Sequence, residues 1–204
     1  MPLKVLYVSA EVHPYRKVGG LADVAGALPK HLAGRGIDVR VVTPLYRGVP
    51  RAGLTRLDTL VVPMYSGPGY AAVRAGHLPG SRVPVYFIEH DHYYDRDALY
   101  GHSDDLERYV FLSRAALELT RALDWVPDVV HANDWHTAFL PVYLNTVEYG
   151  RPLHGAASVF TVHNLGHQGD QDPGAHVITG LGWEHYHAGE FEHFGRFNPV
   201  KAAR

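Results

Sequence analysis

The chain of 204 residues contains no cysteine. Disulfide bonds, thiolate catalysis and cysteine-bound zinc are therefore excluded. Lysine is scarce, and the basic charge is mostly arginine, because the only lysines are Lys4, Lys17, Lys30 and Lys201. The formal net charge is −2 with both signs interspersed. This balance makes nucleic acid and an anionic membrane unexpected partners.

Long hydrophobic runs are also missing, and none approaches the length of a membrane span. Met1 leads directly into a predicted strand, without the basic segment, apolar stretch and cleavage site of a secretory signal, so we expect a cytoplasmic protein. Hydrophobic residues make up 46% of the chain and charged residues 20%, the balance of a globular protein. The length suits one α/β domain.

Apolar β-branched runs alternate with amphipathic stretches along the chain. The alternation predicts an α/β fold with a doubly wound, mainly parallel sheet. Pro29 is expected to kink the first helix or end its regular hydrogen bonding. Two strands near residues 59–88 are expected to form a hairpin inserted in the sheet. The predicted strands are 5–8, 38–43, 59–64, 71–78, 83–88, one from Val129, and a buried strand at 157–162; the predicted helices are 22–32, 104–123 and 137–149.

The loop Lys17-Val18-Gly19-Gly20-Leu21 follows the first predicted strand and precedes the first predicted helix. Two adjacent glycines let the backbone approach a ligand closely, and the N–H groups of the first helical turn attract anions. Lys17 adds a cation. The loop therefore predicts a site for the phosphates of an activated small molecule, and the alternative is a plain tight turn.

Polar and aromatic residues follow five of the predicted strands. In a doubly wound sheet, ligands bind outside the carboxyl ends of the strands, so we expect these residues to line one open edge. The five groups are Ser9, Glu11 and Lys17; 43–46; 89–91; 131–136; and His163 with Asn164.

Asp134 and His163 are the candidate residues for chemistry at this edge. The Asp134 carboxylate suits a hydrogen bond to a sugar hydroxyl or the stabilisation of developing positive charge; the alternative is an N-cap of the following helix. The pair His163-Asn164 suits the fixing of a polar ligand, and the alternative is a structural histidine bonded to a neighbouring loop.

No metal or cofactor is expected. The spacing of His131 and His136 is not that of a helical zinc pair, and no third ligand stands at a standard spacing, although the chain has 15 histidines. The chain has no Gly-x-Ser-x-Gly elbow and no Walker lysine followed by Ser or Thr. The first loop lacks the Gly-x-Gly-x-x-Gly spacing, which argues against NAD.

Several segments, in order, resemble the start of bacterial glycogen synthases and plant starch synthases. The resemblance covers nearly the whole chain. It rests on Lys4-Val5-Leu6, Ser9-Ala10-Glu11, residues 17–24 (KVGGLADV), Ala27-Leu28-Pro29, Tyr93-Tyr94-Asp95-Arg96, residues 128–136 (DVVHANDWH), Thr161-Val162-His163-Asn164-Leu165, Gln168-Gly169, Thr179-Gly180-Leu181 and Trp183-Glu184.

This resemblance implies a retaining glucosyltransferase that passes glucose from ADP-glucose to the non-reducing end of an α-1,4-glucan such as glycogen. The implied fold is the N-terminal half of a two-domain GT-B type enzyme, in which two Rossmann-like halves face each other across a cleft. Matching positions imply that Lys17, Gly19 and Gly20 contact ADP-glucose and that Asp134 and His163 serve the transfer. The resemblance also implies that Glu11, Asp23 and Asn164 lie in the cleft. It places Tyr94 on the acceptor side of the cleft.

The sequence departs from the family pattern in two places. Leu165-Gly166-His167 replaces the usual apolar-Ala-Tyr or apolar-Ala-His. The chain also stops at Arg204, where the family continues into a second domain that carries most of the ADP pocket. We therefore expect residues 1–204 to be a single acceptor-side domain, inactive alone, with the C-terminal nucleotide-binding domain absent. The alternatives are a non-catalytic glucan-binding module and, ranked lower, a small sugar-nucleotide or metal-dependent hydrolase.

Overall fold

A computed structural model describes residues 2–204. The strands are β1 (Lys4–Val8), β2 (Asp38–Pro44), β3 (Thr55–Arg56), β4 (Leu60–Met64), β5 (Gly67–His77), β6 (Pro84–Glu89), β7 (Val129–Asn133), β8 (Ala157–Thr161), β9 (Glu192–His193) and β10 (Arg196–Phe197). The helices are α1 (Gly20–Gly34), α2 (Asp91–Tyr94), α3 (Asp105–Ala122), α4 (Phe139–Asn145) and α5 (Pro199–Ala202). Short 3₁₀ helices lie at Trp135–Thr137, Pro152–Gly155, Pro173–Thr179 and Trp183–His185. Strands and helices alternate at the start of the chain and from β6 to β8, and five strands, β2 to β6, follow one another between them.

The main sheet has eight strands in the order β3-β5-β6-β2-β1-β7-β8, with β4 paired to β5 outside this path. The five strands from β6 to β8 in this order are parallel, so their carboxyl ends meet at one edge. β4 and β5 form an antiparallel hairpin, and β5 joins the sheet antiparallel to β6. The mainly parallel α/β sheet is thus confirmed.

The core forms one continuous cluster that includes side chains of β1, β2, β6, β7 and α3. β1 contributes an almost unbroken apolar run, in which Val5, Leu6, Tyr7 and Val8 are all buried. This pattern is typical of a parallel strand covered on both faces. α1 continues past Pro29 to Gly34, so the proline does not end the helix although its ring removes one hydrogen-bond donor.

Two sequence expectations about the elements are wrong. β8 was expected to be buried, but its first three residues are exposed, because β8 is the last strand of the sheet and has a partner on one side. The helix expected at 137–149 is shorter, since a 3₁₀ turn precedes α4 and the chain turns after Asn145. The two-residue strand β3 carries no periodic pattern and was missed. In residues 2–204, no helix has both the length and the apolar character that a membrane crossing requires.

Candidate functional site

A cavity of about 820 Å³ lies at the carboxyl edge of the parallel strands. Three chain segments that follow β1, β7 and β8 form most of its wall, and the chain just before and at the start of α3 completes it. The lining residues are Glu11, Val18, Gly19, Gly20, Leu21, Val24, Tyr100, Gly101, Asp105, Asp134, Trp135, His136, His163, Asn164, Gly166, His167, Gln168, Gly169 and Asp170. Six of the nine residues singled out from the sequence therefore meet here: Glu11, Gly19, Gly20, Asp134, His163 and Asn164.

The glycine pair borders open space. Gly19 has an extended backbone with φ of −130°, and neither Gly19 nor Gly20 adopts a positive φ. A Cβ atom at either position would meet no heavy atom within 4 Å. The tight-turn alternative gives no reason for glycine here. The pair instead leaves free room beside the cavity, as expected if a ligand approaches the backbone.

The Glu11 carboxylate holds this loop in place. Its Oε2 atom accepts hydrogen bonds from the N–H groups of Val18 at 2.5 Å and Gly19 at 3.1 Å. Its Oε1 atom accepts a hydrogen bond from the Tyr100 hydroxyl at 2.5 Å. The side chain is buried, so these bonds satisfy a carboxylate that has little access to water. Two N–H groups of the loop are therefore taken, and an anion would be left with those of the first turn of α1, from Gly20 on.

Lys17 and Asp23 form an ion pair beside the cavity and do not line it. The Lys17 Nζ atom donates to both carboxylate oxygens of Asp23, at 2.7 and 2.6 Å. Both side chains are about half exposed, so the pair is weak. Contact between Lys17 and a bound anion would require this lysine to leave Asp23.

Asp134 has a strained backbone at the end of β7. Its φ of 56° and ψ of 178° lie in a region that is almost exclusive to glycine and costs about 1–3 kcal/mol. Asp134 stands at the N-cap position of the following 3₁₀ turn, but its side chain makes no cap hydrogen bond, so the carboxylate does not act as the cap. Instead, Asp134 Oδ1 accepts from the N–H groups of His163 at 2.6 Å and Asn164 at 3.4 Å. The carboxylate thus ties the segment after β8 to the end of β7.

The His163 ring is held on the same side of the sheet. Its Nε2 atom lies 3.0 Å from Oδ1 of Asn133, the last residue of β7. Asn164 turns back on its own loop, since its Oδ1 accepts the Gly166 N–H at 2.9 Å. Asp134, His163 and Asn164 therefore form one hydrogen-bonded unit on the cavity wall.

Comparisons with known proteins decide the family. A protein-family model described as the starch synthase catalytic domain matches residues 4–204. The chain belongs to this family. Glycogen synthase 1 of Geobacter sulfurreducens is 54% identical over 194 residues, which is 90% of this chain and 39% of that protein. Glycogen synthase of Thermotoga maritima is 40% identical over 207 residues, which is 98% of this chain and 43% of that protein.

A solved structure agrees with the sequence relatives. The catalytic domain of starch synthase IV from Arabidopsis thaliana, bound to ADP and acarbose, matches 100% of this chain and 43% of its own chain. The TM-score is 0.88 and the sequence identity 33%. The fold is therefore that of a GT-B glycosyltransferase catalytic domain. The chain spans about two fifths of the length of the curated relatives named above.

Tyr94 does not lie at the cavity of this starch synthase domain, contrary to the sequence expectation. Its side chain is fully buried, and its hydroxyl donates to the carbonyl oxygen of Arg108 in α3 at 2.8 Å. Its ring also meets the Tyr46 ring edge-on, with 5.8 Å between centroids. Tyr94 therefore belongs to the packing between α2 and α3.

Two of the five strand ends are also absent from the cavity. After β2, Tyr46 is buried with its hydroxyl 3.2 Å from that of Tyr109. At the end of β6, Glu89 pairs with Arg51 and Arg74 at 3.0 and 2.8 Å. Burial alone would raise the pKa of Glu89, but hydrogen bonds from Arg74 and Arg51 outweigh it and lower this pKa. All five strand ends lie at one edge of the parallel sheet, as expected, but only the segments after β1, β7 and β8 line the cavity.

Sequence reasoning missed Tyr100 as a cavity residue. It stands in an irregular segment before α3, and no periodic pattern indicates that this segment returns to the end of β1. Burial, followed by electrostatic effects of Tyr46 and Glu11, raises the pKa of its hydroxyl, which thus stays a donor to Glu11. Its ring also lies 4.7 Å from that of His136.

Two histidines at this edge, His131 and His136, have pKa values below the ordinary range. Burial, with smaller effects from His167 and Arg108, lowers the pKa of His136 to about 3. Burial and the charge of His163 lower the pKa of His131 to about 4. Within residues 2–204, no three His, Asp or Glu side chains converge as metal ligands.

The cavity wall is acidic. Of the described residues that line it, four are carboxylates, namely Glu11, Asp105, Asp134 and Asp170, and none is lysine or arginine. A bound diphosphate would therefore find little opposite charge on this wall, apart from the first turn of α1 and the nearby Lys17.

Proposed function

We propose that this chain is the acceptor-side domain of a glycogen synthase that transfers glucose from ADP-glucose to the non-reducing end of an α-1,4-glucan, with retention of configuration. The observation that carries the proposal is the meeting of an open glycine pair, Gly19 and Gly20, with Asp134 and His163 around one cavity. The family supplies the class of reaction, and the relatives named above are glycogen synthases.

The donor occupies the side of the cavity formed by the glycine pair. Open space at Gly19 and Gly20 lets a diphosphate approach the start of α1, where backbone N–H groups and the helix dipole favour negative charge. Lys17 supplies a cation by exchanging its exposed partner Asp23 for a phosphate. This exchange is inexpensive because an exposed ion pair contributes about 0–1 kcal/mol.

The transferred glucose lies against Asp134 and His163. Asp134 Oδ1 already accepts two backbone N–H groups, whereas no described residue donates to its Oδ2 atom. Oδ2 is free to accept a hydrogen bond from a sugar hydroxyl and to stabilise positive charge that develops at the reacting carbon. The strained backbone at Asp134 supports this role, because such strain collects at functional sites.

A second domain completes the site by supplying the missing positive charge. The wall described here has four carboxylates and no lysine or arginine, which is unsuited to neutralising a diphosphate. The relatives are more than twice as long as this chain, so they have room for such a domain. The starch synthase IV structure binds ADP and acarbose, and we infer the same two classes of ligand, nucleotide and saccharide, for the complete protein.

The test is a transfer assay with labelled ADP-glucose and glycogen. The full-length protein that contains this chain should extend glycogen from its non-reducing ends, with the new linkage in the α configuration of the donor. The purified 204-residue chain should incorporate no glucose, because an open half-site neither positions both substrates nor stabilises the diphosphate.

Two results would contradict the proposal. Robust incorporation by the 204-residue chain would mean that the whole active site lies in this domain. Binding of glycogen by the full-length protein without transfer from ADP-glucose would favour the glucan-binding module.

A further inference from the structure

Asn133 is a buried amide at the end of β7 whose hydrogen bonds are all accounted for. Its Nδ2 atom donates to the carbonyl oxygen of Val8 at 3.0 Å and lies 3.4 Å from that of His131. Its Oδ1 atom accepts from the Tyr7 hydroxyl at 3.1 Å and lies 3.0 Å from Nε2 of His163. The amide therefore connects β1, β7 and the segment after β8.

The orientation of this amide is fixed by chemistry. A carbonyl oxygen can only accept, so the group facing Val8 must be the NH₂ group of Asn133 and not its oxygen. The oxygen then faces Tyr7 and His163. Burial raises the pKa of the Tyr7 hydroxyl, so Tyr7 remains a donor to this oxygen at neutral pH.

The same reasoning fixes the neighbouring imidazole. An amide oxygen has no proton to give, so Nε2 of His163 must carry the hydrogen of their bond. In a neutral imidazole the other nitrogen, Nδ1, is then an acceptor. No described residue donates to Nδ1, and His163 lines the cavity.

We propose that Asn133 is a positioning residue that locks the His163 ring with a hydrogen on Nε2 and presents Nδ1 as a hydrogen-bond acceptor for an O–H group of the ligand. The bond from the His163 N–H to Asp134 fixes the backbone of the same residue, so ring and backbone are held by two consecutive residues of one strand end. The role in transfer rests on the proposed function, whereas the form of the ring does not.

His131 provides an internal contrast. Its Nε2 atom lies 2.8 Å from the hydroxyl oxygen of Thr161. A hydroxyl can donate or accept, so this contact does not determine which nitrogen of His131 carries the proton. Of these two contacts, only that of His163 involves a partner that can accept and not donate.

The decisive measurement is the ¹⁵N NMR spectrum of histidine-labelled full-length protein at neutral pH, with the His163 signal identified by its loss in His163→Gln. The wild type should show a single Nε2–H form for His163. A mixture of the two forms, or Nδ1–H, would overturn the proposal without any variant of Asn133.

Variants separate positioning from packing. Asn133→Ala should convert the single form into a mixture and lower kcat/KM for transfer about tenfold or more, because the acceptor is no longer held. Tyr7→Phe removes the other hydrogen bond to Oδ1 and should keep the single form. An unchanged single form in folded Asn133→Ala would show that Asn133 does not fix the ring. The spectrum is independent of transfer, so a protein without transferase activity would refute the proposed function and leave this result intact.

Discussion

The strand ends of the parallel sheet differ between its two halves, which are β1, β7 and β8 on one side and β2 and β6 on the other. After β1, β7 and β8, polar side chains and glycines surround a cavity, and the backbone at Asp134 is strained. After β2 and β6, the corresponding side chains already have partners within the protein. Tyr46 packs in the core, and Glu89 forms ion pairs with two arginines. The same edge of one sheet thus carries an open site on one side and a closed set of structural contacts on the other.

This difference teaches that a strand-end position does not by itself make a residue functional. The residues at the open site differ in having a hydrogen-bonding atom without a partner, or a backbone that borders open space. Asp134 keeps an oxygen without a described donor, and Gly19 and Gly20 face room that no side chain fills. Glu89 has neither, since Arg51 and Arg74 each bond one of its oxygens.

Substitution of the two strand-end carboxylates should give the largest contrast. In the full-length protein, Asp134→Asn should lower kcat for glucose transfer by about 10²-fold or more and change KM for ADP-glucose much less, since the charge is needed mainly in the transition state. The amide oxygen can still accept from the His163 N–H, so the protein should remain folded. Steady-state kinetics with ADP-glucose and glycogen measure this effect.

Glu89→Gln is the matched control for this prediction. It removes the same charge from another strand end of the sheet, where two arginines would lose their partner. Stability should fall while kcat and KM remain near those of the wild type. Equal losses of kcat in both variants would mean that the open and closed halves of the edge do not differ in function.

Acid should distinguish the two halves by the pH at which each loses stability. His136 and His131, with folded pKa values of about 3 and 4, bind fewer protons than in the unfolded chain, where the pKa is about 6.5. Stability therefore falls as pH drops below about 6.5, by up to about 1.4 kcal/mol per pH unit for each histidine, until its folded pKa is reached. Glu89 has a lowered pKa, so its contribution is present above its unfolded pKa of about 4.5 and is lost at more acidic pH.

Denaturant unfolding of variants between pH 6.5 and 5 isolates the histidine effect. His136→Phe should reduce the average slope of unfolding free energy against pH by about 1 kcal/mol per unit, because an aromatic ring remains and the titration is removed. Glu89→Gln should leave the slope unchanged in this range. His90 after β6 also has a pKa lowered mainly by burial, so the comparison rests on differences between variants and not on the wild-type slope alone. An unaltered slope in His136→Phe would contradict the assignment.

A methyl group at the glycine pair tests the open space directly. Gly20→Ala should raise KM for ADP-glucose about tenfold by blocking close approach of the diphosphate. The free energy of unfolding should stay the same or rise by up to about 1 kcal/mol, because alanine is the better helix former. Gly34→Ala, at the other end of α1 and also facing open space, should have a similar stability effect and no effect on KM. A wild-type KM for ADP-glucose in Gly20→Ala would mean that the donor does not bind on this side of the cavity.

The sequence was sufficient for the parallel sheet, because buried parallel strands such as β1 are continuous apolar runs. It also placed Asp134, His163 and the glycine pair at one edge, since the ends of parallel strands must meet there. Tyr100 and the role of Glu11 were not predictable, because both depend on how an irregular loop returns across 89 residues to bond a carboxylate. Tyr94 was misplaced because a motif position says nothing about whether a side chain turns towards the core.

The smallest expected effect concerns Lys17. Lys17→Ala should weaken use of ADP-glucose about fivefold, the value of one exposed charge contact of about 1 kcal/mol. The free energy of unfolding should move by less than about 0.5 kcal/mol, since the pair with Asp23 is half exposed. Kinetics with varied ADP-glucose, together with a thermal melt, measure both quantities.

Three comparison variants give this prediction its meaning. Lys17→Arg should restore part of the donor use, because a planar fork does not replace a compact ammonium group. Asp23→Asn frees Lys17 from its partner and should leave KM equal to or lower than that of the wild type, if the lysine exchanges Asp23 for phosphate. Arg47→Ala breaks a comparable exposed ion pair, with Asp95 and Asp97, beyond the cavity wall and should change neither quantity appreciably. If Lys17→Ala saturates with ADP-glucose as the wild type does, Lys17 is a surface cation paired within its own chain, like Arg47. The donor phosphates would then be bound by α1 and the second domain alone.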